Sequence, residues 1–151
     1  MRATASLRID RSADEVFSYV TDVSRMPEWV SGVRDARLVS DRMGLGAKYV
    51  VVYTGMTRRP AEMEVEVTDF ERPRLFGSRT TRGPFEFEGR IEVVDDGDAT
   101  VVTSTARATD DLATRVVWTL LGWLITKPWM ARVGTELENL AAAMDRNSTT
   151  L

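Results

Sequence analysis

Neither histidine nor cysteine occurs in the 151 residues. The side chains that most often serve as general base, nucleophilic thiolate or metal ligand are therefore missing. Three groups of residues remain that could do chemistry. Tyr49, Tyr53, Met63, Phe85 and Phe87 fall at alternate positions of extended segments, with Ser104 on a further one. Aromatics and a flexible methionine suit an adaptable apolar site, with hydroxyls as polar handles, although the same residues equally well fill a core. The second group is Trp118, Trp123 and Trp129, in and just after the apolar run 116–125 and beside Arg115, Lys127 and Arg132. On an ideal helix positions 118 and 129 lie about 20 degrees apart and 123 points elsewhere. A run that is apolar nearly all round is covered on more than one side, by the sheet and a second subunit, by a membrane surface, or as a lid over a cavity. The third group is Arg79 with Arg74 and Arg82. Facing inward, Arg79 would be a polar anchor for a ligand carboxylate or carbonyl; facing outward, it pairs with the glutamates of a wet face.

The elements that must position these residues are legible from period. Residues 2–9 alternate, with Ala3, Ala5, Leu7 and Ile9 on one face, as a half-buried strand does. Ser12, with Glu15 three residues on, reads as the N-cap of a short helix whose apolar stripe is Val16, Phe17 and Val20. Pro27 then suits the start of a second short helix or tight turn. From there to about residue 108 the chain reads as strands: 33–39, 47–53, 61–68, one opened by Pro73 and running to Thr80, 85–93, and 100–108. Asp95-Asp96-Gly97-Asp98 is a strong hairpin signal. The alternating Glu62, Glu64, Glu66, Glu86, Glu88 and Glu92 mark a solvated sheet face rather than paired catalytic carboxylates. A final helix is expected over 110–146, kinked near Lys127 by Pro128, with Val133, Leu137, Leu140, Ala141 and Met144 on one face.

One domain over 1–146 is expected, with a polar tail at 147–151. Such a chain buries about two-thirds of its unfolded surface without staples. The net charge of −3 and pI near 5.1 argue against a nucleic-acid partner, which needs a basic surface. The N-terminus lacks a secretory apolar stretch and the longest apolar run is too short to span a bilayer, so a cytoplasmic protein is expected. Phosphate-binding glycine loops and the G-x-S-x-G and H-E-x-x-H signatures are absent.

The fold class these elements define is α+β: a seven-stranded curved antiparallel sheet wrapped around a long C-terminal helix, with two short helices after the first strand. One helix covers so wide a sheet only if the sheet curls, and the curl leaves space between them. The chain resembles the helix-grip domains of the START/Bet v 1 (SRPBCC) superfamily, and within it the polyketide cyclase/dehydrase and lipid-transport family. The resemblance is carried by residues 12–17 (SADEVF), 29–33 (WVSGV), the Gly44-Leu45-Gly46 turn, Pro73-Arg74-Leu75, the Gly97 hairpin and Leu137-Glu138-Asn139-Leu140. It implies a cavity between helix and sheet, filled in relatives by lipids, sterols, polyketides or other hydrophobic molecules; some relatives are aromatases or cyclases.

The expected function is accordingly that of a carrier or sensor for a small hydrophobic or amphipathic ligand, with no metal and no cofactor. Its ligand would be lined by Tyr49, Tyr53, Met63, Phe85, Phe87, Ser104, Trp118 and Trp123. No catalytic residue is assigned. Two rivals are an aromatase/cyclase-like enzyme, with Tyr53, Ser104 or Arg79 orienting carbonyls, and a module whose segment 116–130 contacts a second copy or a membrane.

Overall fold

In the computed structural model, which describes residues 2–54, 59–83, 86–108 and 131–147, the period-two segments all become strands. They are β1 (Arg2–Ile9), β2 (Val33–Leu38), β3 (Lys48–Thr54), β4 (Pro60–Glu71), β5 (Leu75–Arg82), β6 (Phe87–Asp96) and β7 (Ala99–Ala108). Every neighbouring pair is antiparallel, in the order β1-β7-β6-β5-β4-β3-β2. From β2 to β7, strands consecutive in sequence pair with one another, as short connections demand. The chain's first strand then closes onto its last. Gly97, at φ +74, supplies the left-handed residue that the two-residue β6–β7 turn requires.

Between β1 and β2 lie α1 (Ala13–Thr21), a 3₁₀ turn (Val23–Arg25) and α2 (Met26–Trp29). Ser12 caps α1 as its position suggests, its Oγ accepting the Glu15 N–H at 3.2 Å. Pro27 sits in the first turn of α2, where its missing N–H costs nothing. The strand expected to open at Pro73 begins at Leu75 instead: residues 72–74 form a turn containing a cis Arg72–Pro73 bond. Proline cannot donate to the ladder, and pairing resumes only after it.

The third helix, α3 (131–147 of the described residues), lies along the concave face. The expected beginning of this helix and its kink, residues 110–130, lie outside the described residues. Leu137 and Leu140, with 1% and 0% exposure, pack with Met144 into a core that includes Phe17, Val20, Tyr49, Val51, Val65, Val67, Ile91, Val93 and Val102. Burying each such side chain contributes about 1.5–3 kcal/mol. Among the described residues no helix is long and apolar enough to cross a membrane.

Candidate functional site

Because the sheet is antiparallel, the ends of β3, β5 and β7 and the beginnings of β4 and β6 lie at one edge of it, as the pairs Tyr53↔Ala61, Glu64↔Arg82 and Phe87↔Ala108 show. Arg132, the second described residue of α3, reaches the same edge. Tyr53 and Phe87 are only half-buried here, and for that reason this end is called the open end below.

The concave face divides along its length. At the far end Tyr49, Val51, Val65, Val67, Ile91 and Val93 are all buried in one continuous apolar cluster with α3. Toward the open end Tyr53 and Phe87 are only half-buried. Met63, 7% exposed, stands outside that cluster. Val51↔Met63 and Tyr53↔Ala61 are successive pairs on the inner face, so Tyr53 and Met63 are diagonal neighbours across β3 and β4. Gly83 approaches Met63 so closely that a Cβ there would lie 2.8 Å from Met63 Cγ.

The sequence-derived candidates therefore separate. Tyr53, Met63 and Phe87 gather at the open end. Ser104, half-buried, sits further along the sheet opposite Ile91 and Ala5. Tyr49 belongs to the packed core at 2% exposure. Burial pushes its hydroxyl up to about 12, against the lowering effect of a hydrogen bond with the Ser78 side chain. Arg79 faces outward: its side chain is 57% exposed and its Nη2 lies 3.9 Å from Glu66. The wet-face glutamates collect further cations, Lys48 at 3.5 Å from Glu64 and Arg90 at 3.1 Å from Glu92. Phe85, Trp118 and Trp123 lie outside the described residues.

Sequence reasoning missed the most connected polar group on the concave side. Arg132, in the first described turn of α3, donates from Nη1 to the Tyr53 hydroxyl (2.7 Å), from Nε to Glu136 Oε1 (3.1 Å) and from Nη2 to the Ser31 carbonyl. Glu136 Oε1 in turn accepts the Ser31 N–H at 3.2 Å. One residue of the α2–β2 turn is thus held at both its N–H and its C=O by an i,i+4 pair on α3. The guanidinium carbon also lies 5.3 Å from the centre of the Tyr53 ring. Burial works against the Arg132 charge, but the Tyr53 hydrogen bond and nearby Glu136 hold it above the ordinary arginine value. Burial likewise pushes the Glu136 carboxyl up, against the pull of Arg132 and the Ser31 N–H. The only signal in the sequence was an arginine and a glutamate four apart on a helix, a spacing more typical of solvated surface pairs. A second polar atom stands out nearby in sequence: the buried Trp29 Nε1 has no acceptor among the described residues.

A curled seven-stranded antiparallel sheet gripping a C-terminal helix, with short helices after its first strand, is the START-like helix-grip architecture. The chain belongs to the polyketide cyclase / dehydrase and lipid transport family, which it matches over residues 1–145. Among solved structures it is similar to TTHA0849 from Thermus thermophilus, at 19% identity and TM-score 0.79, covering 98% of this chain and 99% of that one. A START superfamily protein from Mycobacterium smegmatis superposes at 16% identity and TM-score 0.62, over 87% and 96% of the two chains. The di-domain ARO/CYC StfQ of the steffimycin biosynthetic pathway matches at 11% identity and TM-score 0.74, over 98% of this chain and 52% of that one. At these identities the likenesses establish the fold. No curated protein sequence matches.

Proposed function

We propose that this protein binds a small hydrophobic or amphipathic molecule between the open end of the sheet and the C-terminal helix, as a carrier or sensor. The observation that carries the reading is the division of the concave face. Its far half joins α3 in one buried apolar cluster, while Tyr53, Met63 and Phe87 at the open end lie outside that cluster among the described residues. Apolar side chains with a few convergent polar groups among them are the usual lining of a small-molecule site. Family membership supports the same reading.

Native mass spectrometry of gently purified protein, followed by organic extraction, tests it. A discrete added mass of a few hundred daltons that extracts as a hydrophobic compound is the expected result. A bare-protein mass, together with no thermal stabilisation by a panel of lipids and polyketides, would overturn it.

The likeness to StfQ favours one second reading, an ARO/CYC-type enzyme. Conversion of a reactive polyketide substrate by the purified chain, lost in Tyr53→Phe, would establish turnover; binding without conversion leaves the carrier. Contact of segment 116–130 with a second copy or a membrane is proposed on sequence alone, and sedimentation with and without liposomes decides it.

A further inference from the structure

Arginine is a hydrogen-bond donor only. In the 2.7 Å contact between Arg132 Nη1 and the Tyr53 hydroxyl, the tyrosine oxygen must therefore be the acceptor. The phenolic hydrogen is directed elsewhere, and no acceptor for it is found among the described residues. The ring that carries the hydroxyl is held in place. The ring is pressed against Gly32, where a Cβ would lie 3.1 Å from both Cδ2 and Cζ, and the guanidinium covers one of its faces. The result is an O–H donor on a half-buried, fixed ring at the open end of the concave face, diagonal to Met63.

The charge balance around this donor bears on what it takes. Arg132 is matched by Glu136 on the same helix, with Nε and Oε1 3.1 Å apart, so the pair adds no net charge. A neutral acceptor fits such a site better than a carboxylate, which would bring an unmatched charge beside Glu136. The positive guanidinium on the phenol oxygen also withdraws electron density from the O–H bond, making it a stronger donor.

We propose that the Tyr53 hydroxyl, positioned by Arg132 and Gly32, donates a hydrogen bond to a neutral carbonyl oxygen of the bound molecule and so selects apolar ligands that carry a ketone or ester at the open end. This rests on the binding function proposed above and adds the chemistry the ligand must present.

The test uses the full chain and two matched fluorescent probes. One is 6-propionyl-2-(dimethylamino)naphthalene, whose emission shifts red when its ketone accepts a hydrogen bond. The other is its carbonyl-free analogue, 6-propyl-2-(dimethylamino)naphthalene. The wild-type protein should bind the ketone about tenfold more tightly than the analogue, the size of one hydrogen bond to a polarised donor. Tyr53→Phe should abolish that preference and the red component of the bound ketone's emission, its affinity for the ketone falling to that for the analogue. The corresponding naphthoate should bind no better than the analogue. Equal binding of ketone and analogue by the wild type, an unchanged preference in Tyr53→Phe, or tightest binding of the naphthoate would overturn the carbonyl anchor and leave the binding function standing. Loss of both probes together in Tyr53→Phe would make Tyr53 a structural residue and overturn the anchor too. Failure of the wild type to bind either probe would count against the binding function proposed above.

Discussion

Gly32 lies under the ring of Tyr53, so close that any side chain at position 32 would collide with it. The residue also holds φ at +82, in the left-handed region that costs a non-glycine residue about 1–2 kcal/mol. Gly32→Ala should therefore destabilise the protein by about 2–4 kcal/mol in urea denaturation, strain and collision together. In a Tyr53→Ala background the collision is gone and only the backbone share, about 1–2 kcal/mol, should remain.

Glu136 makes the stability of the α3 clamp depend on pH. Its carboxyl is raised above the ordinary 4.5 in the folded protein, so between those two values the folded state holds more protons than the unfolded one. The stability linked to this group is fully present below about pH 4.5 and is lost as pH rises through the folded value. The stability of the wild type relative to Glu136→Gln should accordingly be greatest in mild acid and decline toward neutrality. Parallel denaturation series from about pH 4 to about pH 7 measure it, and an advantage that grows with pH would contradict the assignment.

Tyr49 should ionise only in strong alkali. Raised from 10.0 to about 12 by burial, it contributes stability that is complete below about pH 10 and lost as pH climbs through about 12. Ultraviolet titration of Tyr49→Phe should lack the step near pH 12. At neutral pH the substitution should cost about 1 kcal/mol, because Ser78 loses its partner.

Arg79 and Leu140 mark the two faces of the molecule. Arg79→Ala breaks a long, largely exposed ion pair with Glu66 and should change stability by less than about 0.5 kcal/mol, with no effect on any co-purifying ligand. Leu140→Ala leaves a hole at a position with no exposure and should cost about 2–5 kcal/mol. Thermal and urea melts separate the two, and loss of ligand from Arg79→Ala would mean the outer face takes part in binding.

Much of this architecture was open to reading because it is written in short-range terms. β4 alternates Ala61, Met63, Val65 and Val67 with Glu62, Glu64, Glu66 and Thr68, and those are the residues that face the core and the solvent. Ser12, Pro27 and Gly97 act where their backbone chemistry permits. Pro73 misled because the turn it occupies runs on through Arg74, and Leu75 is the first residue to pair.

The candidate site was less legible. Tyr49 and Tyr53 have the same side chain, the same strand and the same face, so no local pattern separates them. One is sealed in the core and the other holds an arginine at the open end because the apolar side chains of α3 meet one stretch of the strand and Arg132 meets the other. Arg79 could be placed only once the pairing of β5 with β4 set it opposite Glu66.

Alone, the sequence determined which segments are strands, which face of each is apolar, that neighbouring strands pair antiparallel, and that any site must work without histidine or cysteine. Those are consequences of period-two alternation, turn chemistry and composition, each readable within a few residues. Tertiary structure decided that Arg132 meets Tyr53 across 79 residues of chain, that Ser31 is gripped from α3, and that Arg79 stays in water. Contacts of that kind depend on how far the sheet curls and where along it the helix lies, and these are set by the packing of the whole core rather than by any one segment.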